Sequence, residues 1–120
     1  MNVRDYDAMI AEAAGIGAEH GRAAGTWCYD GNTPDAWYRN MLRMDDDGDP
    51  AFWDALPSSP LSGEFAGNMT PRDLCEQIMG DENDPEHDAD LADDLCRAYE
   101  DAWTEALRYE VLRACRVQTA

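Results

Sequence analysis

The chain has 120 residues, which suits one domain, and 44% of them are hydrophobic. This fraction is close to that of ordinary globular domains and is sufficient to form a hydrophobic core. Its 26 Asp and Glu residues against 9 Arg and no Lys give a net charge of −17, which argues against direct binding of nucleic acid or an anionic membrane, because phosphate affinity rests on basic side chains. No stretch is apolar enough for a transmembrane helix, and the N-terminus lacks the apolar stretch of a secretory signal. We therefore expect a single acidic domain over residues 1–120, located in the cytoplasm.

Apolar residues spaced three and four apart predict an N-terminal helix. They are Tyr6, Met9, Ile10, Ala13, Ile16 and Gly17. Gly17, Gly21 and Gly25 continue it at every fourth position, and such small residues let another helix approach closely. We expect this stripe to pack inside the domain rather than to form a docking groove for a partner. Beyond it, Thr26 to Asp30 is compatible with a short strand.

Four steps in which Thr or Asp precedes Pro predict further helix starts. The short side chain can accept from the first free amides, and Pro has no amide to leave unpaired. The steps are Thr33–Pro34, Asp49–Pro50, Thr70–Pro71 and Asp84–Pro85. Gly48 and Gly80 are placed to end two of these helices.

The last predicted helix, from about Asp88 to Arg116, has the broadest apolar face. Its length of about 43 Å exceeds the diameter of about 35 Å expected for a compact chain of this size. Either the helix bends or its end overhangs. An overhang would expose Trp103, Leu107, Val111 and Leu112 and favour a homodimer. The predicted fold is all-α, with four to five helices and a long C-terminal helix.

Neither a metal nor a cofactor site is predicted. The acidic segment Asp45–Asp49 resembles a calcium loop, but Arg43 would occupy its first ligand position. The four cysteines lack the paired spacing of a zinc site, and they fit small buried hydrophobes with reduced thiols. No nucleophile, phosphate-binding or metalloprotease motif occurs, and His20 and His87 are isolated. A non-EF calcium site, a zinc site and an enzyme are minority alternatives to a non-enzymatic protein without cofactors.

The acidic residues are densest between positions 81 and 94, where no Arg occurs. They are Asp81, Glu82, Asp84, Glu86, Asp88, Asp90, Asp93 and Asp94. Further along the helix, Asp101 and Glu105 continue the side of Asp90 and Asp94, with carboxylates about 6 Å apart along the axis. That spacing is comparable to the separation of successive phosphates, so a rigid carboxylate row can compete for a basic groove. The alternative is an acidic face that only keeps the protein in solution.

A second acidic edge is formed by Asp45, Asp46, Asp47 and Asp49, which we also predict to contact the partner. The segment 57–69 is long for a connection without secondary structure. It is either functional or a surface loop held by Leu61 and Phe65. If these apolar residues bind, the protein is instead an interaction or regulatory module that acts through its loop and helix surface.

Several short blocks resemble small acidic proteins of actinobacteria and their phages. The blocks are Asp30–Gly31–Asn32–Thr33–Pro34 with Tyr38, Gly48–Asp49–Pro50, Pro60–Leu61–Ser62–Gly63–Glu64 and Thr70–Pro71. The resemblance covers about residues 24 to 75 and implies a phage or mobile-element context, in which small acidic proteins inhibit host defence, as anti-CRISPR and anti-restriction proteins do. From the charge and this resemblance we expect stoichiometric binding to a basic nucleic-acid-binding host protein or complex, such as a CRISPR effector.

Overall fold

The computed structural model describes residues 6–56, 70–80 and 89–120. They form five helices: α1 (Tyr6–Trp27), α2 (Asp35–Asp47), α3 (Ala51–Asp54), α4 (Pro71–Met79) and α5 (Ala89–Thr119). Helix accounts for 84% of these residues and strand for none of them. The all-α prediction and the long C-terminal helix are confirmed. The possible strand at Thr26 is wrong, because Thr26 and Trp27 complete α1.

Among the described helices, the most extensive contact joins α1 and α5, which run parallel. Gly17 lies against the backbone of Tyr99, and Gly21 lies against the backbone of Trp103. A step of four residues towards the C-terminus on α1, from Gly17 to Gly21, corresponds to the same step on α5, from Tyr99 to Trp103. The two helices are therefore parallel. A Cβ atom at either glycine would overlap the carbonyl oxygen of the facing residue. The glycine stripe therefore packs inside the domain, as predicted.

The fold is elongated along α5, with extents of 54 × 25 × 21 Å. At 1.5 Å per residue, the 31 residues of α5 span about 46 Å, so the helix matches the long axis. The expected exposure of Trp103, Leu107, Val111 and Leu112 is wrong, since each is at most 3% exposed. The sequence argument assumed a round domain, whereas α1 and α2 both pack along α5 and cover its apolar face. The reason offered for a homodimer is thereby removed.

Two of the predicted caps are confirmed. At the start of α4, the Thr70 hydroxyl accepts from the Asp73 amide at 3.2 Å, and the Asp73 carboxylate accepts from the Thr70 amide at 3.1 Å. Before α3, the Asp49 carboxylate accepts from the Ala51 amide at 3.0 Å. These bonds satisfy amides that have no partner within the helix. Gly48 and Gly80 follow α2 and α4 with positive φ angles of 67° and 72°, as expected of terminating glycines.

The helix start predicted at Thr33–Pro34 is confirmed, but its cap is not. The Thr33 hydroxyl accepts from the Asp30 amide at 2.9 Å, within the turn that precedes α2. Pro34 therefore occupies the capping position, and it makes no side-chain hydrogen bond there. The start predicted at Asp84–Pro85 lies outside the described residues.

One hydrophobic core joins α1, α2, α4 and α5, with Phe52 of α3 also buried. Its largest fully buried side chains on α5 are Trp103 and Tyr99. None of the described helices combines the length and the hydropathy needed to cross a membrane.

Candidate acidic interface

The predicted partner-binding residues fall into two groups. Asp81, Glu82, Asp84, Glu86 and Asp88 lie outside the described residues, as does the segment 57–69. The structure does place Asp90, Asp93 and Asp94, at the beginning of α5, and the second edge from Asp45 to Asp49, at the end of α2 and in the turn that follows.

Because α5 is unbroken, four of its carboxylates share one face. Asp90, Asp94, Asp101 and Glu105, hereafter the acidic stripe, lie within an arc of about 60° and extend over about 22 Å of helix. Asp94 is half-buried and the other three are exposed. Arg97 lies on the same face and lowers the net charge of the stripe.

Asp94 has a structural partner in α1. The Tyr6 hydroxyl donates a hydrogen bond to the Asp94 carboxylate, which ties the first turn of α1 to α5. Asp94 is therefore less available to a partner than the exposed carboxylates on either side of it.

The second acidic edge is largely engaged within the fold. Asp45 accepts from Nε and Nη2 of Arg108 at 3.0 and 2.7 Å, and its side chain is only 21% exposed. Asp47 lies 3.5 Å from Arg43, and Asp49 caps α3. Among residues 6–56, 70–80 and 89–120, Asp46 is the member of this edge without an ion pair or hydrogen bond. The cap at Asp49 was predicted from the Asp49–Pro50 step, but the pairing of Asp45 with Arg108 was not, because the two residues are distant in the chain.

Charge is separated along α5. Residues 89–105 carry Asp90, Asp93, Asp94, Glu100, Asp101 and Glu105 against Arg97, and residues 106–119 carry Arg108, Arg113 and Arg116 against Glu110. This order complements the helix dipole, which is positive at the N-terminus and negative at the C-terminus. The acidic surface is thus concentrated at one end of the α1–α5 pair.

Glu110 is the buried carboxylate that sequence reasoning missed. It is 6% exposed, and it accepts from the Tyr29 hydroxyl at 2.7 Å and from Arg113 Nη2 at 2.5 Å. The hydrogen bond from Arg113 holds the pKa of Glu110 below its usual value, with help from Tyr29 and against the effect of burial. The one available signal was its position on the core-facing side, between Leu107 and Val111.

The described residues provide little for catalysis or metal binding. Burial raises the pKa of Cys28 and Cys115 to about 11 and that of Cys96 to about 12, so these thiols stay protonated near neutral pH and are poor nucleophiles. His20 Nδ1 lies 2.7 Å from the hydroxyl of Tyr99, a fully buried side chain. Within the described ranges, no group of three or more His, Cys, Asp or Glu residues is arranged to hold a metal ion.

Comparison with protein-family models, with curated proteins and with solved structures finds no match for this chain. The resemblance to actinobacterial and phage proteins remains a prediction.

Proposed function

We propose that this protein is a phage-type inhibitor of a host defence complex, such as a CRISPR effector, and that it acts in the bacterial cytoplasm by stoichiometric binding. In this proposal its acidic surface occupies a groove that otherwise holds nucleic acid. The observation that carries the proposal is the acidic stripe on one face of α5.

Three physical features support mimicry of a nucleic-acid strand. Neighbouring carboxylates one turn apart, such as Asp101 and Glu105, are separated by about 6 Å along the axis. Their helix packs along much of α1, so the backbone loses little conformational entropy on binding and the charges are preorganised. The net charge of −17 also favours rapid encounter with a basic surface.

The test compares two variants with equal changes of charge. The stripe variant is Asp90→Asn, Asp101→Asn and Glu105→Gln, which leaves the Asp94 bond to Tyr6 intact. The control variant is Glu19→Gln, Asp35→Asn and Asp54→Asn, all exposed positions on α1, α2 and α3 that lie outside both predicted acidic contact regions.

Each protein is immobilised, exposed to a host lysate, and washed with DNA or RNA oligonucleotides before mass spectrometry. We expect a basic nucleic-acid-binding complex that is released by the oligonucleotide and by rising salt, and whose capture falls at least about tenfold for the stripe variant but not for the control. Capture that resists oligonucleotide and salt, and is equal for both variants, would contradict mimicry.

The second candidate is an interaction module that binds through apolar surface. Trp27 is 73% exposed and Val117 is 62% exposed, near the C-terminal ends of α1 and α5. The loop residues Leu61 and Phe65, first considered for this role, lie outside the described residues. Binding that is insensitive to salt and is lost on Trp27→Ala would favour this candidate.

A further inference from the structure

A groove of about 360 Å³ lies between the C-terminal halves of α1 and α5. Arg22 of α1 and Arg108 and Arg116 of α5 line it. The remaining lining consists of alanines from both helices, Leu112, the ring of Tyr109 and the carboxylate of Glu105. The volume lies within the range of small-molecule sites in proteins, which begins at about 300 Å³.

The arginines of this groove are unusual for so acidic a chain. Three of the 9 arginines gather here, although 26 carboxylates are available to pair with them. Arg108 is bound to Asp45. Arg22 and Arg116 are exposed, and in the part of the chain that the structure describes neither guanidinium group forms an ion pair or a hydrogen bond, although the charge of Arg22 helps to lower the pKa of Glu110. Their guanidinium donors are free to bind an added anion.

The lining combines groups that suit a phosphate joined to a flat base. Guanidinium groups bind phosphate through paired, charge-assisted hydrogen bonds. Tyr109 is 64% exposed and presents an aromatic ring on which a flat base can stack. Alanine side chains leave room beside that ring, and the Glu105 carboxylate, also in the lining, can accept from an exocyclic amine.

We propose that this groove binds a purine nucleotide, with its phosphate held by Arg22 and Arg116 and its base against Tyr109. The two arginines come from different helices, so the site exists only because α1 and α5 pack in parallel at this register. Glu105 belongs to both the groove and the acidic stripe, whereas Arg22, Arg116 and Tyr109 line the groove and are not part of the stripe, so changes at these three positions test the groove alone.

Calorimetric titration of the full chain with AMP, adenosine and inorganic phosphate tests the proposal. We expect AMP to bind more tightly than either fragment. Arg22→Gln and Arg116→Gln should each weaken AMP binding at least about tenfold. Arg39→Gln on α2 changes the net charge equally at an exposed position outside the groove, and it should change AMP affinity less than about twofold. Tyr109→Ala should weaken AMP binding but not that of inorganic phosphate.

Three results would overturn the proposal. The first is no heat of AMP binding up to millimolar concentration in the unmodified protein. The second is an equal loss of AMP affinity in Arg39→Gln and Arg22→Gln, which would mean that AMP responds to the net charge of the protein rather than to contacts in the groove. The third is tighter binding of an oligoglutamate peptide than of AMP, which would assign the groove to an acidic protein segment. Circular dichroism of each variant establishes that the helices are retained.

Discussion

At the scale of single residues, Glu110 shows how this chain accommodates a carboxylate inside its core. An ionised group taken out of water is costly unless its oxygens are hydrogen-bonded. The Tyr29 hydroxyl and two nitrogens of Arg113 meet that requirement. The cluster also joins the segment after α1 to the last third of α5, so it fixes the register of the two helices.

The stability that this cluster contributes should depend on pH. Glu110→Gln should lower the free energy of unfolding by about 1–3 kcal/mol near neutral pH, because the part-buried Tyr29 hydroxyl and the Arg113 guanidinium lose a charged acceptor. The pKa of Glu110 is lowered on folding, so the ionised carboxylate stabilises the fold fully above the unfolded pKa of about 4.3. That contribution is lost as the pH falls through the folded pKa.

Urea denaturation of the unmodified protein and of Glu110→Gln, between pH 7 and pH 3, measures the difference. We expect it to be constant above about pH 5 and to shrink below that. A difference that grows on acidification would contradict the assignment. Tyr29→Phe, which removes one of the donors, should cost less than Glu110→Gln at pH 7.

At the scale of elements, the parallel pair of α1 and α5 depends on the absence of side chains at two positions. Gly17 and Gly21 face backbone, which cannot move aside as a flexible side chain can. Gly15 lies on the same helix with nothing within 4 Å of the place where its Cβ would be. The same substitution should therefore have opposite effects at these positions.

Gly21→Ala should destabilise the protein by at least about 2 kcal/mol, the cost of forcing atoms into a filled interface. Gly15→Ala should stabilise it by up to about 1 kcal/mol, because Ala favours helix over Gly. Thermal unfolding followed by circular dichroism compares the two. Equal effects would mean that α1 and α5 are not in close backbone contact.

Structural features set by residues close together in the chain could be predicted from the sequence, whereas those set by contacts between distant residues could not. The Thr70 cap and the Gly80 terminator act within a few residues, and both were predicted. The glycine stripe was correctly placed in the interior, but its partner helix and the parallel direction were not predicted, since they depend on contacts about 80 residues apart in the chain. Thr33 failed as a cap because Asp30, only three residues earlier, offers its hydroxyl another donor.

For the candidate sites too, features set by residues close together in the chain were predictable, and features set by contacts between helices were not. The acidic stripe was predictable because Asp90 and Asp94, and then Asp101 and Glu105, recur at helical spacing. The ion pair of Asp45 with Arg108 and the presence of Arg22 and Arg116 in one groove depend on the packing of separate helices. No spacing within one segment encodes them.

At the scale of the whole molecule, the net charge of −17 acts on stability as well as on binding. Like charges repel more in the compact chain than in the expanded one, and this lowers the free energy of unfolding. Salt screens such repulsion over about 8 Å at physiological ionic strength. Stability and the proposed target binding should therefore respond to salt in opposite directions.

Raising NaCl from 20 to 150 mM at pH 7 should increase the free energy of unfolding by on the order of 1 kcal/mol. Near the sequence pI of about 4.1, where the net charge vanishes, the same increment should have little effect. Denaturation curves at both pH values provide the comparison. A fall in stability with salt at pH 7 would mean that attractive pairs, such as Arg108 with Asp45, outweigh the repulsion.

The parallel pairing of α1 with α5 also shapes how the chain reaches its fold. In a helical hairpin, two antiparallel helices that are adjacent in the chain can pack together as soon as the second one has formed. By contrast, α1 can pack against α5 only after the chain has closed a loop of more than 60 residues, because α5 begins that far after α1 ends. Contacts between residues so far apart in the chain slow folding, because a long loop must close before they form. We therefore expect this all-helical protein to fold more slowly than helical bundles built from local contacts. During synthesis, the apolar face of α1 is not covered by α5 until α5 has left the ribosome. We therefore expect a chaperone that binds exposed apolar segments to bind α1 at this stage.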